Sequence, residues 1–404
     1  MVKKLWNKNF ILLLQASAIS TIGDLMYSVA IGYWVYEQTG SSALMGIMSA
    51  ISMFVTMFLS PFSGSIVDKC NRKWVIVIGD LFQGGIMLTI GALAYMNKLN
   101  VPGVLVAAFL AALGGVFYSP AANTSLIDII PKDDIVRGQS LFSGVSSTIN
   151  LVGTAFSGVM VAFFGVPLII VLNGLSNIYS AISELFISIP KTAQQGERVN
   201  LKSILCDTRA AITEIISDPH MQLFVPCLLI LNLLASGPFS LILPFTMEKN
   251  FSVEQYGYFM SVWSIASLAS VIILGIIIFS PKARFWIMAV SFSASSIFMV
   301  LTFLSKQFIP MCIMAFIAGF LNAAGNAIFN ASLMLALPEK NRGAIMGFVS
   351  SACVGGIALS SVIYGILGDI FPLYAVFAIG SAISLVPMLF LCFHKRTRSF
   401  ILSH

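Results

Sequence analysis

The chain has 404 residues, of which 58% are hydrophobic and only 9% charged, with a formal net charge of +6. A soluble domain holds about 45–50% apolar and about 25% charged residues, so a water-soluble globular protein is excluded and an integral membrane protein is indicated. There is also no GxxxxGK[ST] loop and no polar stretch large enough for a nucleotide-binding domain, which excludes ATP hydrolysis by the chain itself.

Apolar runs recur along nearly the whole length. Each is about 20 residues long, the helix length that crosses about 30 Å of hydrocarbon with every backbone group bonded internally. The period-two alternation of a membrane barrel is absent. Twelve spans are expected, at 10–36, 43–66, 74–96, 101–126, 138–163, 167–189, 221–247, 254–279, 284–304, 308–334, 343–368 and 371–393. The opening "MVKKLWNKNFILLLQASAIS" imitates a signal peptide, but its apolar run continues to Tyr36, longer than a cleaved core, so it is read as span 1.

With the N-terminus placed inside, only Lys98, Lys249 and Lys306 of the 22 Lys and Arg fall in outside loops. That bias predicts cytoplasmic termini, and it explains the positive charge through topology and anionic lipid headgroups rather than nucleic acid. No Lys or Arg lies in the membrane interior. His220, His394 and His404 all fall on the inner side, which excludes a membrane-buried histidine relay. The six cysteines, Cys70, Cys206, Cys227, Cys312, Cys353 and Cys392, show no CxxC spacing, so neither structural disulfides, a zinc site nor any other metal site or cofactor is expected.

The longest polar interval, residues 191–220, divides the spans six and six. Leu201, Ile204, Leu205, Thr208, Ile212, Ile215 and Ile216 recur there at helical spacing, which predicts an amphipathic connector on the cytoplasmic face. The two halves also match in sequence. "NTSLIDIIPKDDIVRG" aligns with "NASLMLALPEKNRG", pairing Asn123 with Asn330, Ser125 with Ser332, Leu126 with Leu333 and Pro131 with Pro338 at one offset, then Arg137 with Arg342 after a short gap. A duplicated six-helix unit follows: two pseudo-symmetric bundles, 1–190 and 221–404, around an axis along the membrane normal, with a substrate site near the midplane.

The loop after span 2 reads "GSIVDKCNRK", residues 64–73. Gly64 permits close helix approach, Asp68 can cap or ion-pair at a helix end, and Lys69, Arg72 and Lys73 form a basic cluster. Its spacing resembles the G-x3-D-R/K-x-G-R-R/K signature of the major facilitator superfamily, with Asn71 in place of a usual glycine. Together with twelve spans, a central loop and the repeat, the resemblance covers the whole chain. It implies that Asp68 belongs to a charge latch on the inside gate. The equivalent loop after span 8, "GIIIFSPKAR", has Phe279 where the aspartate would stand. In span 5, "GTAFSG" is similar to the G-P-x-x-G-G core shared by the family's drug and proton antiporters; Gly153 and Gly158 fit, and Thr154 replaces the proline. The same glycines also suit plain helix packing. Further features resemble the exporter branch that includes macrolide-efflux and siderophore-efflux proteins: "GD" in span 1, "SP" in span 4, and the Pro-to-Arg-Gly loops.

The resemblance implies a central cavity lined by spans 1, 4, 7 and 10. Asp24 lies about 21 Å along span 1 from Phe10 at 1.5 Å per residue, near or beyond the midplane. A charged aspartate there costs about 2.5–3.5 kcal/mol, so it is expected to face the cavity and to be neutral for part of its working life. Two readings stand: Asp24 couples protons or contacts substrate, or it caps a distortion after Gly23 or hydrogen-bonds a neighbouring helix. Tyr27, Tyr118, Asn123 and Asn232 add polar groups on the lining spans. Asn322, Asn326 and Asn330 form an i, i+4, i+8 stripe on span 10, either for substrate or for interhelical bonds. Asp80 and Glu184, one to two turns from the cytoplasmic end, are read as gate or interface groups partnered by Arg72 or Arg137, and Asp128 as a helix-terminus or gating residue. Arg137 and Arg342 join the gate set.

The expected protein is therefore an all-α, non-enzymatic secondary transporter. It is read as a monomer in the bacterial cytoplasmic membrane, surrounded by lipid, and as a proton-coupled exporter of an amphipathic small molecule. Uptake or sodium coupling on the same fold, or a non-transporting membrane binding protein, are the alternatives.

Overall fold

Long apolar stretches in lipid leave the backbone nothing to bond but itself, and helices are the outcome. The structure, a computed structural model, describes residues 5–131, 134–189, 213, 217, 221–276, 281–336 and 342–393, and contains no strand among them. The expected amphipathic connector at 191–220 lies outside the described residues, Thr213 and Ser217 apart.

The helices are α1 (Lys8–Thr39), α2 (Ser42–Lys69), α3 (Arg72–Tyr95), α4 (Val101–Ile129), α5 (Ile135–Leu185), α6 (Met221–Ala235), α7 (Gly237–Ser240), α8 (Ile242–Glu248), α9 (Val253–Ile276), α10 (Pro281–Leu304), α11 (Phe308–Ala336), α12 (Arg342–Ile370), α13 (Leu373–Ile383) and α14 (Leu385–Phe393). Among the described residues ten are long and apolar enough to cross a membrane, or eleven if one bent pair counts as a single span. The protein is thus an all-helical, multi-pass membrane protein. Expected spans 5 and 6 are the two halves of α5, which is broken at Gly165 (φ 72°, ψ 161°), a positive φ that favours glycine, just before Pro167. The first half of α5 is rich in Ser, Gly and Thr.

Span 7 is broken rather than continuous. Val225–Ser240 and Ile242–Glu248 meet at 53°. Pro238 has no N–H to offer the carbonyl of Leu234 one turn back, so that carbonyl is freed. The Tyr364 hydroxyl on α12 donates to it at 2.6 Å, and the Ser360 hydroxyl donates to the neighbouring Leu233 carbonyl. Gly237 makes this approach possible, since a Cβ there would sit 2.4 Å from Ser360 Oγ and 2.6 Å from Tyr364 Cδ2.

The chain forms two compact units: Met1–Thr39 with Ile51–Ile204, and Gly40–Ala50 with Leu205–His404. In unit 1, Asn7 donates to the Ile129 carbonyl at 2.9 Å and Asn9 exchanges bonds with Ser188, so the start of α1 closes the ends of α4 and α5. Arg72, at the first position of α3, donates to Asp68 at 2.9 Å and also to Asp128. One guanidinium thereby fastens the end of α2 to the end of α4. Lys73 donates to the Leu185 carbonyl at 2.7 Å, capping α5.

Unit 2 includes the first turns of α2, which lie against α12. The Asp369 carboxylate accepts from the backbone N–H groups of Ser42 (2.6 Å) and Ala43 (3.2 Å) and from the Ser41 hydroxyl (2.6 Å). A carboxylate on the orphan N–H groups of a helix start satisfies them and meets the positive end of the helix dipole. Asp369→Ala is expected to lower stability by about 1 kcal/mol, with Asp369→Asn intermediate because one oxygen still accepts. Thermal unfolding of the two variants in detergent checks this, and equal midpoints for wild type and Asp369→Ala would refute it.

Candidate functional site

Unit 1 concentrates its polar side chains on one face of the second half of α5. Asn173, Asn177, Ser180 and Glu184 are spaced four, three and four residues apart, which places them on a single helix face. All four are fully buried. A close approach by α1 makes this possible: a Cβ on Gly23 would lie 2.3 Å from Ser176 Oγ and 2.6 Å from Asn173 Oδ1, so any larger residue would push α1 away. The next residue, Asp24, keeps accessible surface on the flank of α1 while Asn173 and Asn177 flank its carboxyl. The Asn177 amide donates to Asn173 Oδ1 at 3.0 Å. Further along, Asp80 of α3, 3% exposed, faces Ser180. At the end of the row the Tyr118 hydroxyl of α4 donates to Glu184 Oε1 at 3.1 Å.

Helix α1 runs unbroken through Gly23 and Asp24, so Asp24 does not cap a distortion; the contact with a neighbouring helix is the one that forms. A second expectation is corrected: Arg72 does not partner Asp80 or Glu184. Its guanidinium is taken by Asp68 and Asp128, and Arg137 is exposed. Among the described residues, Asp80 and Glu184 close no ion pair. At Gly64 no described atom lies within 4 Å of a Cβ built there. Gly153 does serve packing, with a Cβ position 2.7 Å from Leu25 Cδ1 of α1, and Gly158 is buried. Asn123 is exposed on α4, and the Tyr27 hydroxyl is buried without a partner among the described residues. Lys69 ends α2.

Unit 2 holds a cavity of about 340 Å³ between α6, α7, α9, α10, α11 and α14. Three expected residues meet there: Asn232, Asn322 and Asn326. Asn326 donates to the Asn322 carbonyl and Oδ1, both at 2.9 Å, and Asn232 donates to the Leu228 carbonyl at 3.0 Å. Phe239 and Trp263, ring centroids 4.5 Å apart, form one wall, and Phe292, Met288 and Met388 contribute others. Among the described residues no lining side chain is charged. The cavity therefore suits an apolar or aromatic body that carries a few uncharged hydrogen-bonding groups. The side chains of Asn330 and Arg342 lie outside the described residues.

Sequence reading overlooks Asn173, Ser176, Asn177 and Ser180, although the stripe they make with Glu184 was present in "NGLSNIYSAISE". Among the described residues no three His, Cys, Asp or Glu side chains are placed to hold a metal ion.

Comparison with known proteins agrees with this architecture. The chain is 24% identical over 196 residues to macrolide efflux protein A of Streptococcus pyogenes, covering 48% of this chain and 47% of that protein. It is 28% identical over 160 residues to the multidrug efflux pump Tap of Mycobacterium tuberculosis, 38% of each. The alignments thus span half or less of these relatives. Solved structures extend the likeness in fold to the full length. A bacterial homologue of the lysosomal transporter Spinster, inward-facing, superposes with a TM-score of 0.72 at 14% identity over 98% of this chain and 97% of that one. The nucleoside transporter NupG gives 0.74 at 13% over 95% and 99%, and a bacterial homologue of the iron transporter ferroportin 0.70 at 15% over 95% and 98%. The sequence also matches the Major Facilitator Superfamily over residues 13–307 and 227–400. With that match covering nearly all of it, the chain belongs to the Major Facilitator Superfamily, a family of membrane transporters and not of enzymes.

Proposed function

We propose that this protein is a proton-coupled exporter of an amphipathic small molecule, working by alternating access as a monomer in the bacterial cytoplasmic membrane. The observation that carries the coupling is Asp24: a carboxyl in the middle of α1, flanked by two neutral amides and, among the described residues, in no ion pair. Such a group favours its neutral form when desolvated and its charged form when wet, so its proton can follow the conformational state. The uncharged cavity of unit 2 supports an amphipathic cargo. Export is supported by the names of two relatives, a macrolide efflux protein and a multidrug efflux pump. Asp68, Arg72 and Asp128 are assigned to gating, because they join three helix ends that a rearrangement must separate or carry together.

Reconstitution in liposomes tests the reading, with ethidium as the probe. An imposed proton gradient is expected to drive ethidium against its concentration, and a sodium gradient of the same size is not. Flux with sodium alone would overturn proton coupling; binding of the dye without any flux would make the protein a binding component instead of a transporter.

A further inference from the structure

We propose that the buried face of α5 from Asn173 to Glu184 is a proton path, carrying protons between Asp24 and the Glu184 end of unit 1. This rests on the proton-coupling reading above and adds a route to it. The stretch is about 16 Å long at 1.5 Å per residue, half the thickness of the hydrocarbon layer. Three carboxyls from three helices mark its length: Asp24 from α1, Asp80 from α3 and Glu184 from α5 itself.

Open hydrogen-bonding capacity is what separates this face from an ordinary polar core. Buried polar groups in native proteins are almost always bonded. Here Asn173 Nδ2, Asn177 Oδ1, Ser180 Oγ, Asp80 Oδ2 and Glu184 Oε2 are all buried, all on one face, and all without a hydrogen-bond partner among the described residues. A structural network closes its bonds, and one left half-closed is worse than an apolar core. Small polar molecules that bond two to four such atoms at once fit these positions, and water is the one that does so routinely. A row of donors and acceptors bridged in this way is also what proton transfer requires.

The charges around the face favour the same reading. Among the described residues, Tyr118 of α4 and Tyr27 of α1 are the other titratable groups on it. The basic residues at the Glu184 end are engaged elsewhere: Lys73 with the Leu185 carbonyl and Arg72 with Asp68 and Asp128. Among the described residues, no fixed cation therefore holds Asp80 or Glu184 ionised. In each passage the Asp24 carboxylate takes up one proton and passes it to the Asp80 carboxylate, which hands it on to the Glu184 carboxylate, and Glu184 releases it. No other bond changes, and each group ends as the carboxylate it began as. The reverse order serves the opposite direction.

Infrared spectra of the reconstituted full chain give the first test. Protonated carboxyl bands are assigned by their loss in Asp80→Asn and Glu184→Gln. In the wild type both bands are expected to titrate between mildly acidic and mildly alkaline buffer, and to shift on transfer to D2O. Bands that neither titrate nor shift would show a sealed structural core and overturn the path. Flux gives the second test. Both variants are expected to lose about a hundredfold in gradient-driven ethidium export, the lower end of what a positioned proton carrier contributes, while keeping passive ethidium exchange. Ser180→Ala, a milder change, is expected to lose part of the coupled rate and guards against a folding defect. Undiminished coupled export in Asp80→Asn and Glu184→Gln, with export abolished in Asp24→Asn, would overturn the path and leave the coupling intact. If the wild type itself moves no dye on a proton gradient, the coupling reading has failed, and the infrared bands alone decide the path.

Discussion

Exchanging Asp24 for Asn is expected to abolish gradient-driven export, by about a hundredfold or more, while the protein still folds and still lets its cargo exchange passively. The substitution keeps size and shape. An asparagine can still meet Asn173 and Asn177, which flank the native carboxyl, and Gly23 still admits the close packing of α1 against Asn173 and Ser176. What it removes is the ability to give up a proton. A conformational equilibrium moves only as far as a ligand distinguishes the two states, and with a permanently neutral side chain the proton no longer distinguishes them. The pH profile provides the sharper readout: coupled export by the wild type should vary with pH, and whatever exchange remains in Asp24→Asn should be flat. Gradient-dependent export at the wild-type level in Asp24→Asn would remove Asp24 from the mechanism and leave it a helix contact.

Arg72→Ala should produce the largest loss of stability among single changes at the helix ends, about 2–3 kcal/mol. Removing one member of a buried ion cluster costs about 3–5 kcal/mol because the remaining charges are stranded, and the lower figure allows for solvent reaching the acids. Arg72 itself is 7% exposed; the side chains of Asp68 and Asp128 are 41% and 23% exposed, so water takes over part of what the guanidinium supplies. Arg72→Lys should fall between the two. An ammonium restores the charge, but it cannot present a fork to two carboxylates on different helices. Adding Asp128→Asn to Arg72→Ala should recover part of the loss, because it withdraws one stranded charge. Thermal unfolding in detergent measures all three, and an Arg72→Ala midpoint equal to that of the wild type would refute the argument.

Most of the fold was legible because the bilayer imposes so few solutions. Length and apolarity alone locate the helices: the ends of α3 and α4 fall within a few residues of the expected spans, and so do the start of α13 and the end of α14, which share the twelfth. What the periodicity did not carry was continuity. The break at Gly165, between the expected span ends at 163 and 167, was legible; the one inside span 7 was not. Span 7 looked like one apolar run, and its 53° bend falls between Ser240 and Ile242, a few residues past the Leu233 and Leu234 carbonyls held by hydroxyls more than a hundred residues away. The site shows the same division. Asp24 announced itself as a lone charge in an apolar helix, and the Asn322–Asn326 stripe as amides where lipid would reject them. Asn173, Asn177 and Ser180 were equally readable by spacing, but each is mildly polar and common in membrane helices, so nothing singled them out until α1 and α3 were seen to deliver Asp24 and Asp80 to the same face. The pairing of Arg72 was misjudged for a related reason: sequence gives the acids near a helix end, and only the packing of α2 on α4 decides which of them arrive within bonding distance.

The bend in the seventh span bears on the order in which the protein is made. Pro238 leaves the Leu234 carbonyl without its own helical donor whether the segment is straight or bent, and its replacement, Tyr364, is synthesised about 130 residues later. Until α12 enters the bilayer, a strong acceptor stands unsatisfied in a medium that penalises it heavily. The seventh span is thus inserted unfinished. Arrival of Ser360 and Tyr364 relieves the penalty, so α12 is drawn to this neighbour by the unmet bond as well as by shape, and a defect at either hydroxyl should surface as a fault of assembly in the membrane before it surfaces as a fault of transport.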